Sequence, residues 1–330
     1  MSPRHFVPVV PRVWGEMRRR QLLRRGQRLL VALSGGQDSW CLWHLLQRWQ
    51  TRMDWQLFAL HCNHRWSEDE TACAQFMERY FVQHHLVGAV ATADPIRWDE
   101  AGARRWRYQE YQDWATHWHC DVVVTGHTGS DWAETLLINL CRGTGAAGLH
   151  SLAWQRSLTE DIEVVRPLLS VWRSETSAYC HEHQLPVWSD LSNQDRRHTR
   201  NRVRLDLIPY LQTHLNPQVE AALVRHATLI ADEHDWVAQS AQPLWQQSFF
   251  RDPPRLARAP LGNAHVALQR WVLWRFLRQE LGTTPGFEQV EWLRHLLSAP
   301  RGSRTPPLPG DLWAEVQDQW IVLQPWGQTN

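Results

Sequence analysis

Ser34-Gly35-Gly36-Gln37-Asp38-Ser39 packs two glycines, two hydroxyls and a carboxylate into six residues. Glycines let backbone amides approach phosphate oxygens with no Cβ in the way. Where such a run opens a helix, the unpaired amides and the positive dipole end attract anions. Ser34 and Ser39 add hydroxyl donors. A carboxylate beside phosphates calls for a cation, so Asp38 reads as an Mg2+ ligand, with helix capping as the structural alternative. Ser34, Gly35, Gly36, Gln37, Asp38 and Ser39 are therefore predicted to form a pyrophosphate-binding loop.

A second group lies about ninety residues on, in His127-Thr-Gly-Ser-Asp131-Trp-Ala-Glu134-Thr135. Asp131 and Glu134 are three apart, so on a helix they share a face. Capping accounts for Asp131 but not for His127. Two carboxylates beside a phosphate site can hold a cationic substrate or a second Mg2+. Arginines supply the opposite charge: Arg104 and Arg107 in one run, Arg142 in another, and Arg200, Arg202 and Arg204 in a third. Guanidinium forks suit phosphates; the plain alternative for each is a surface ion pair.

These groups need elements to hold them. Arg28 to Leu33 reads as a buried strand, the loop follows it, and Trp40, Leu42, Trp43, Leu45, Leu46 and Trp49 continue at helical spacing. Residues 12–25 read as a basic amphipathic helix. Strands are predicted at 56–62, 87–92, 121–125 and 162–167, with helices at 68–84, 101–118 and 131–141. Such alternation argues an α/β fold with a parallel sheet covered on both faces. Near Asn216-Pro217 the pattern turns helical, with further helices at about 263–281 and 285–298 and a short strand at 320–323. The reading is a catalytic domain over 1–215 and a smaller, mostly helical domain over 216–330.

Composition narrows the chemistry. All 35 basic residues are arginine. Without lysine there is no Walker-type Gly-Lys-Ser/Thr loop and no enzyme Schiff base. The six cysteines are scattered with no Cys-x-x-Cys pair, which disfavours a disulfide framework, structural zinc or an iron–sulfur cluster. His61 with His64, and His181 with His183, have metal-like spacing but no cysteine partners. The net charge is +1, yet Arg18, Arg19, Arg20, Arg24, Arg25 and Arg28 cluster, as do Arg196, Arg197, Arg200, Arg202 and Arg204. Either two solvated faces or a polyanion such as RNA explains them. No long apolar run predicts a membrane span, and a cytoplasmic protein is expected.

The loop resembles the signature of the PP-loop, N-type ATP pyrophosphatases, which adenylate an oxygen and then displace AMP with a nucleophile. The remaining motifs resemble one family within it, the tRNA(Ile)-lysidine synthetases: Asn63-His64, Ala103-Arg104-x-x-Arg107-Tyr108, His127 to Thr135, Arg142-Gly-Thr-Gly145, Arg166-Pro-Leu-Leu169, Asp190-x-Ser192-Asn193, Arg200-Asn-Arg-Val-Arg204 and Leu308-Pro-Gly310. The chain departs from many members at Ser130, where a first aspartate is usual, and at Trp132, where glutamine is usual. Its length matches the short members of the family.

That resemblance implies ATP and Mg2+ as cofactors, free L-lysine and the isoleucine tRNA with a CAU anticodon as partners, and no membrane; a homodimer stays open. It implies that Asp38, His127, Asp131 and Glu134 are catalytic, that Asp131 and Glu134 hold lysine, and that Arg104, Arg107, Arg142, Arg200, Arg202 and Arg204 meet phosphate or tRNA. A PP-loop tRNA thiolase is the nearest alternative, and a non-catalytic nucleotide-binding module a more distant one.

Overall fold

Leu29 and Val31 face one side of a strand and Leu30 the other, and all three are fully buried. A strand apolar on both faces must sit inside a sheet with helices above and below. The computed structural model, which describes residues 8–94, 100–149, 152–188 and 195–325, places this strand, β1 (Arg28–Ala32), inside a six-stranded sheet. Its neighbours are β2 (Gln56–Asn63) and β4 (Val122–Thr125), both parallel. β3 (Gly88–Thr92) lies beyond β2, and β6 (Glu163–Val165) beyond β4, also parallel. β5 (Gln155–Ser157) closes the edge antiparallel to β6, a strand the hydrophobic pattern did not announce. The order is β3-β2-β1-β4-β6-β5.

Helices α1 (Val9–Arg19), α2 (Gln37–Met53) and α3 (Glu68–Gln83) pack with Leu29 and Val31. α4 (Glu100–His117) packs with Leu30, Leu60 and Val123 on the other face. α5 (Gly129–Cys141) follows β4. After β6 comes α7 (Arg173–Glu182), then a broken helix of α8 (Thr199–Arg202), one π turn (Val203–Leu207) and α9 (Ile208–His214).

The chain separates into two compact units, one of residues 1–138 and 151–224, the other of 139–150 and 225–330. The second holds α6 (Ala146–Leu149), most of α10 (Val219–Ser248), α11 (Arg258–Gly262), α12 (Val266–Leu281) and α13 (Phe287–Leu296). It is mostly helical, as expected. It also carries an antiparallel sheet of β7 (Phe249–Arg251), β8 (Pro254–Ala257), β9 (Leu312–Gln317) and β10 (Trp320–Pro325). Ile321, Val316, Leu256, Phe276 and Leu293 form its core. β10 falls where a short strand was expected at 320–323, while β7, β8 and β9 carry too little alternation to stand out from loop. Among the described residues no helix is long and apolar enough to cross a membrane.

Candidate active site

The sheet order reverses between β1 and β4, and in open parallel sheets ligands bind at such a point, beyond the carboxyl ends of the strands. The loop after β1 and the turn after β4 therefore lie side by side, Ala32 being level with Thr125. Gly126 makes the contact possible, since a Cβ there would stand 3.0 Å from the Asp38 carbonyl and the Ser39 amide. Gly35 has φ +89°, and Cys73 Sγ fills the space where a Cβ would point.

Gly36 is the N-cap of α2, and no side chain caps the helix. The first-turn amides are thus left for a ligand. Ser39 Oγ donates to the Gly36 carbonyl at 2.8 Å and lies 3.2 Å from Ser34 Oγ. Gln37 turns away, its amide donating to the Arg173 carbonyl at 2.7 Å, so it braces the loop against α7.

One cavity of about 770 Å3 is lined by Ser34, Asp38, Arg107, His127, Asp131 and Arg173, with Arg200 and Arg204. Asp131 and Glu134 share a helix face as their spacing predicts, and both are buried. Their charges are met by three guanidiniums. Arg173 donates to Asp131 at 2.7 Å and to Glu134 at 2.6 Å. Arg200 reaches Glu134 at 2.8 Å and Asp131 at 3.1 Å. Arg204 grips Glu134 at 2.8 and 3.1 Å. Burial alone pushes both carboxyls up, but the arginines outweigh it and hold both below the usual carboxylate range.

Asp38 stands differently. Burial, with the charge of Asp131 beside it, raises its carboxyl to about 6 against the pull of Arg173. It accepts from the Thr176 hydroxyl, and Arg173 is 3.5 Å away. A cavity-lining carboxylate this poorly compensated fits a divalent cation, and Mg2+ typically takes one or two carboxylates plus phosphate oxygens. Among the described residues no group of three or more His, Cys, Asp and Glu side chains gathers to hold a metal.

His127 is half-buried at the cavity wall with Nδ1 2.9 Å from Thr125 Oγ1, and desolvation drives its imidazole down to about 3. It is neutral at neutral pH and far from the ideal of a general base, so its geometry suits orienting a ligand. His61 Nδ1 meets the Leu33 carbonyl at 3.0 Å. His64 packs against Trp66 and Trp106, and burial lowers it to about 4.

These histidines set a pH dependence. His127 and His64 protonate near 6.5 in the unfolded chain and only near 3 and 4 when folded. The stability they give is complete above 6.5 and lost as pH falls toward 4. Asp38, raised to about 6, works in the opposite sense over the same interval. Comparing wild type with His127→Gln isolates one group: the variant should lose less urea stability between pH 6.5 and 4.5, by up to about 1.4 kcal/mol per pH unit. Equal slopes would show that His127 titrates as if exposed.

Of the other arginines expected to meet phosphate, Arg107 lines the cavity and Arg104 is exposed on α4. Arg202 is exposed, and Arg142 is exposed in the second unit. Arg200 and Arg204, four apart across the π turn, are spent on the carboxylates instead. Asp190, Ser192 and Asn193 lie outside the described residues. Ser130 accepts from the Arg173 amide at 3.2 Å, which gives this departure from the family pattern a helix-start role.

Arg173 and Thr176 were not foreseen. Their signal was faint: the Arg166-Pro-Leu-Leu169 run, then a helix start with Glu175 bonded back to the Trp172 amide at 2.8 Å. Burial raises the thiols, to about 12 for Cys62 and Cys180, so neither is a ready nucleophile.

Residues 14–211 match the PP-loop domain family. The chain is 54% identical over 326 residues to a tRNA(Ile)-lysidine synthase of Synechococcus sp. (strain JA-2-3B'a(2-13)), covering 98% of each chain. The chain belongs to the tRNA(Ile)-lysidine synthase family. A family member from Nostoc sp. (strain PCC 7120 / SAG 25.82 / UTEX 2576) is 43% identical over 322 residues, covering 93% of this chain and 94% of its own. A chloroplastic one from Pyropia yezoensis is 36% identical over 220 residues, 67% of each. Among solved structures, the U34-tRNA thiolase NcsA from Methanococcus maripaludis, with a 4Fe–4S cluster, gives a TM-score of 0.52 over 66% of this chain and 79% of its own. At 18% identity that likeness shows the shared fold alone. ATP use and a tRNA substrate follow from the family.

Proposed function

We propose that this protein joins the ε-amino group of free lysine to the wobble cytidine of the isoleucine tRNA with a CAU anticodon. The ring carbonyl oxygen of the cytidine attacks the α-phosphorus of ATP, and pyrophosphate leaves. The neutral ε-amine then attacks the adenylated ring carbon, and AMP departs with the oxygen. The product pairs with A in place of G, so the tRNA reads AUA rather than AUG.

The observation that carries this reading is the sharing of one cavity by two unlike halves. The uncapped loop of Ser34–Ser39 receives the departing phosphates. Asp131, Arg173, Arg200 and Arg204 line the same cavity, with Glu134 buried against these arginines, and together they offer both signs of charge within 4 Å of one another. That set suits an amino acid zwitterion: the carboxylates take the α-ammonium, an arginine takes the α-carboxylate, and the ε-amine stays free to react. Asp38 would hold Mg2+ alongside the phosphates, and that ion would supply charge stabilisation for the leaving pyrophosphate. His127, held neutral, orients the nucleotide. The first unit, which holds the loop and the carboxylates, is the catalytic domain expected over 1–215, and the second, mostly helical with a small sheet, helps to bind tRNA.

The test is purified protein with ATP, Mg2+, labelled lysine and the CAU-anticodon transcript. Label should enter tRNA in step with AMP release. Glu134→Ala should lower incorporation at least about 100-fold, since the site loses a buried charge partner. No label with wild type would refute the reaction, and full incorporation by the variant would refute the lysine-holding role.

A further inference from the structure

The cavity arginines that meet Asp131 and Glu134 are neutralised, but a second cationic group on the same unit is not. Tyr108, on α4, is the meeting point of three guanidiniums. Arg156 stacks over its ring at 4.5 Å and Arg104 at 4.9 Å. Arg166 and Arg104 donate to its hydroxyl at 3.3 and 3.4 Å. Among the described residues no carboxylate pairs with Arg104, Arg156 or Arg166.

Strand geometry explains why. Arg156 pairs with Val164, so it faces α4 with the apolar core of that side. Gln155 and Ser157 point to the opposite face, where Glu163 accepts from Gln155 at 2.7 Å. The nearby acid is thus across the sheet. Arg166 is fully buried. One of its nitrogens donates to the Ala153 carbonyl at 2.7 Å, and its Nε has no partner among the described residues. A buried cation without a counter-ion is costly, and an anion arriving on Arg104 and Arg156 would offset that cost. The same charges outweigh burial at the Tyr108 phenol and bring it down to about 8.

We propose that Arg104, Arg156 and Tyr108 seat a backbone phosphate of the RNA strand beside the nucleotide that enters the cavity. The proposal rests on the tRNA-modifying reading above. The seat adjoins the cavity because Arg107 and Tyr111, on the next stripe of α4, line it. Arg166 also faces His127 closely enough to act on its charge. Guanidinium pairs are suited to a phosphodiester, whose two free oxygens accept in parallel. ATP phosphates are the other possible source of the same chemistry, but the Ser34–Ser39 loop already receives them.

The test is tRNA affinity against salt for Arg104→Gln, Arg156→Gln and Arg156→Lys, with binding of a non-hydrolysable ATP analogue and thermal melting alongside. Each glutamine variant should bind tRNA about tenfold more weakly. The slope of log affinity against log salt should shrink by about 0.7 to 1, the value for one phosphate contact. Arg156→Lys should recover most of that slope, while analogue binding and melting stay at wild-type values. A single methylphosphonate linkage next to the wobble position should weaken wild type but not Arg156→Gln. Unchanged slopes, or loss of analogue binding in place of tRNA binding, would overturn the proposal. Failure of lysine incorporation by wild type would instead refute the lysine reading and leave these binding slopes interpretable.

Discussion

Asp38→Ala should lower AMP and pyrophosphate release by at least about 100- to 1,000-fold, the usual loss when one group aimed at developing charge is removed. It should do so without lowering the melting temperature. Two effects compete at this residue. A carboxylate in the first turn of a helix gains about 0.3–1 kcal/mol from the dipole. Burial and the neighbouring Asp131 oppose it, and the rise of the carboxyl to about 6 shows that they win. The folded protein therefore holds this charge at a cost, and an uncharged side chain relieves it. Thr176 loses one acceptor but keeps its bond to the Arg173 carbonyl at 2.9 Å. Steady-state AMP release at saturating lysine and tRNA, read beside thermal melting, checks both halves. Full turnover would remove Asp38 from the mechanism. A melting point that falls with activity would make its role structural.

Arg173→Ala should damage both stability and activity. Among the described residues Arg173 is the one side chain that reaches Asp38, Asp131 and Glu134 together. Stranding a buried charge costs about 3–5 kcal/mol, and the expected loss here is about 2–3 kcal/mol because Arg200 and Arg204 stay on the carboxylates. The pH dependence identifies the cause. Carboxyls held low give stability that is present above their unfolded pKa, near 3.8 and 4.5, and lost as pH falls through the lower folded values. The variant's deficit should be largest near pH 7 and shrink below about pH 4.5. Arg173→Lys should rescue little, since one ammonium cannot fork across three carboxylates. Urea midpoints at pH 7 and pH 4 test this. A deficit independent of pH would mean that Arg173 acts through packing.

Much of the α/β unit was legible because its signals are local. An apolar run bounded by Ser34-Gly35-Gly36 is a strand followed by an anion-binding turn whatever else the chain does. The three-residue step from Asp131 to Glu134 fixes a shared helix face. What escaped was short or remote. β5 has three residues and no clear alternation, and of the second sheet only the strand at 320–323 was expected, while β7, β8 and β9 escaped. The arginines were visible as types but not as partners. The Arg200-to-Arg204 run reads as a basic surface, and the fold turns two of its members inward.

The sequence by itself determined the phosphate loop, the parallel sheet, the Asp131–Glu134 face and the family, because turn chemistry and side-chain period act within a few residues of each other. Only the tertiary structure decided where each arginine's charge is spent. Arg173 sits 42 positions from Asp131 and Arg200 sits 69, yet both touch it. Arg156 is 48 positions from Tyr108 and stacks on it with no acid between them. Coulomb energy depends on distance and burial in space, and neither is written in the spacing of residues along the chain.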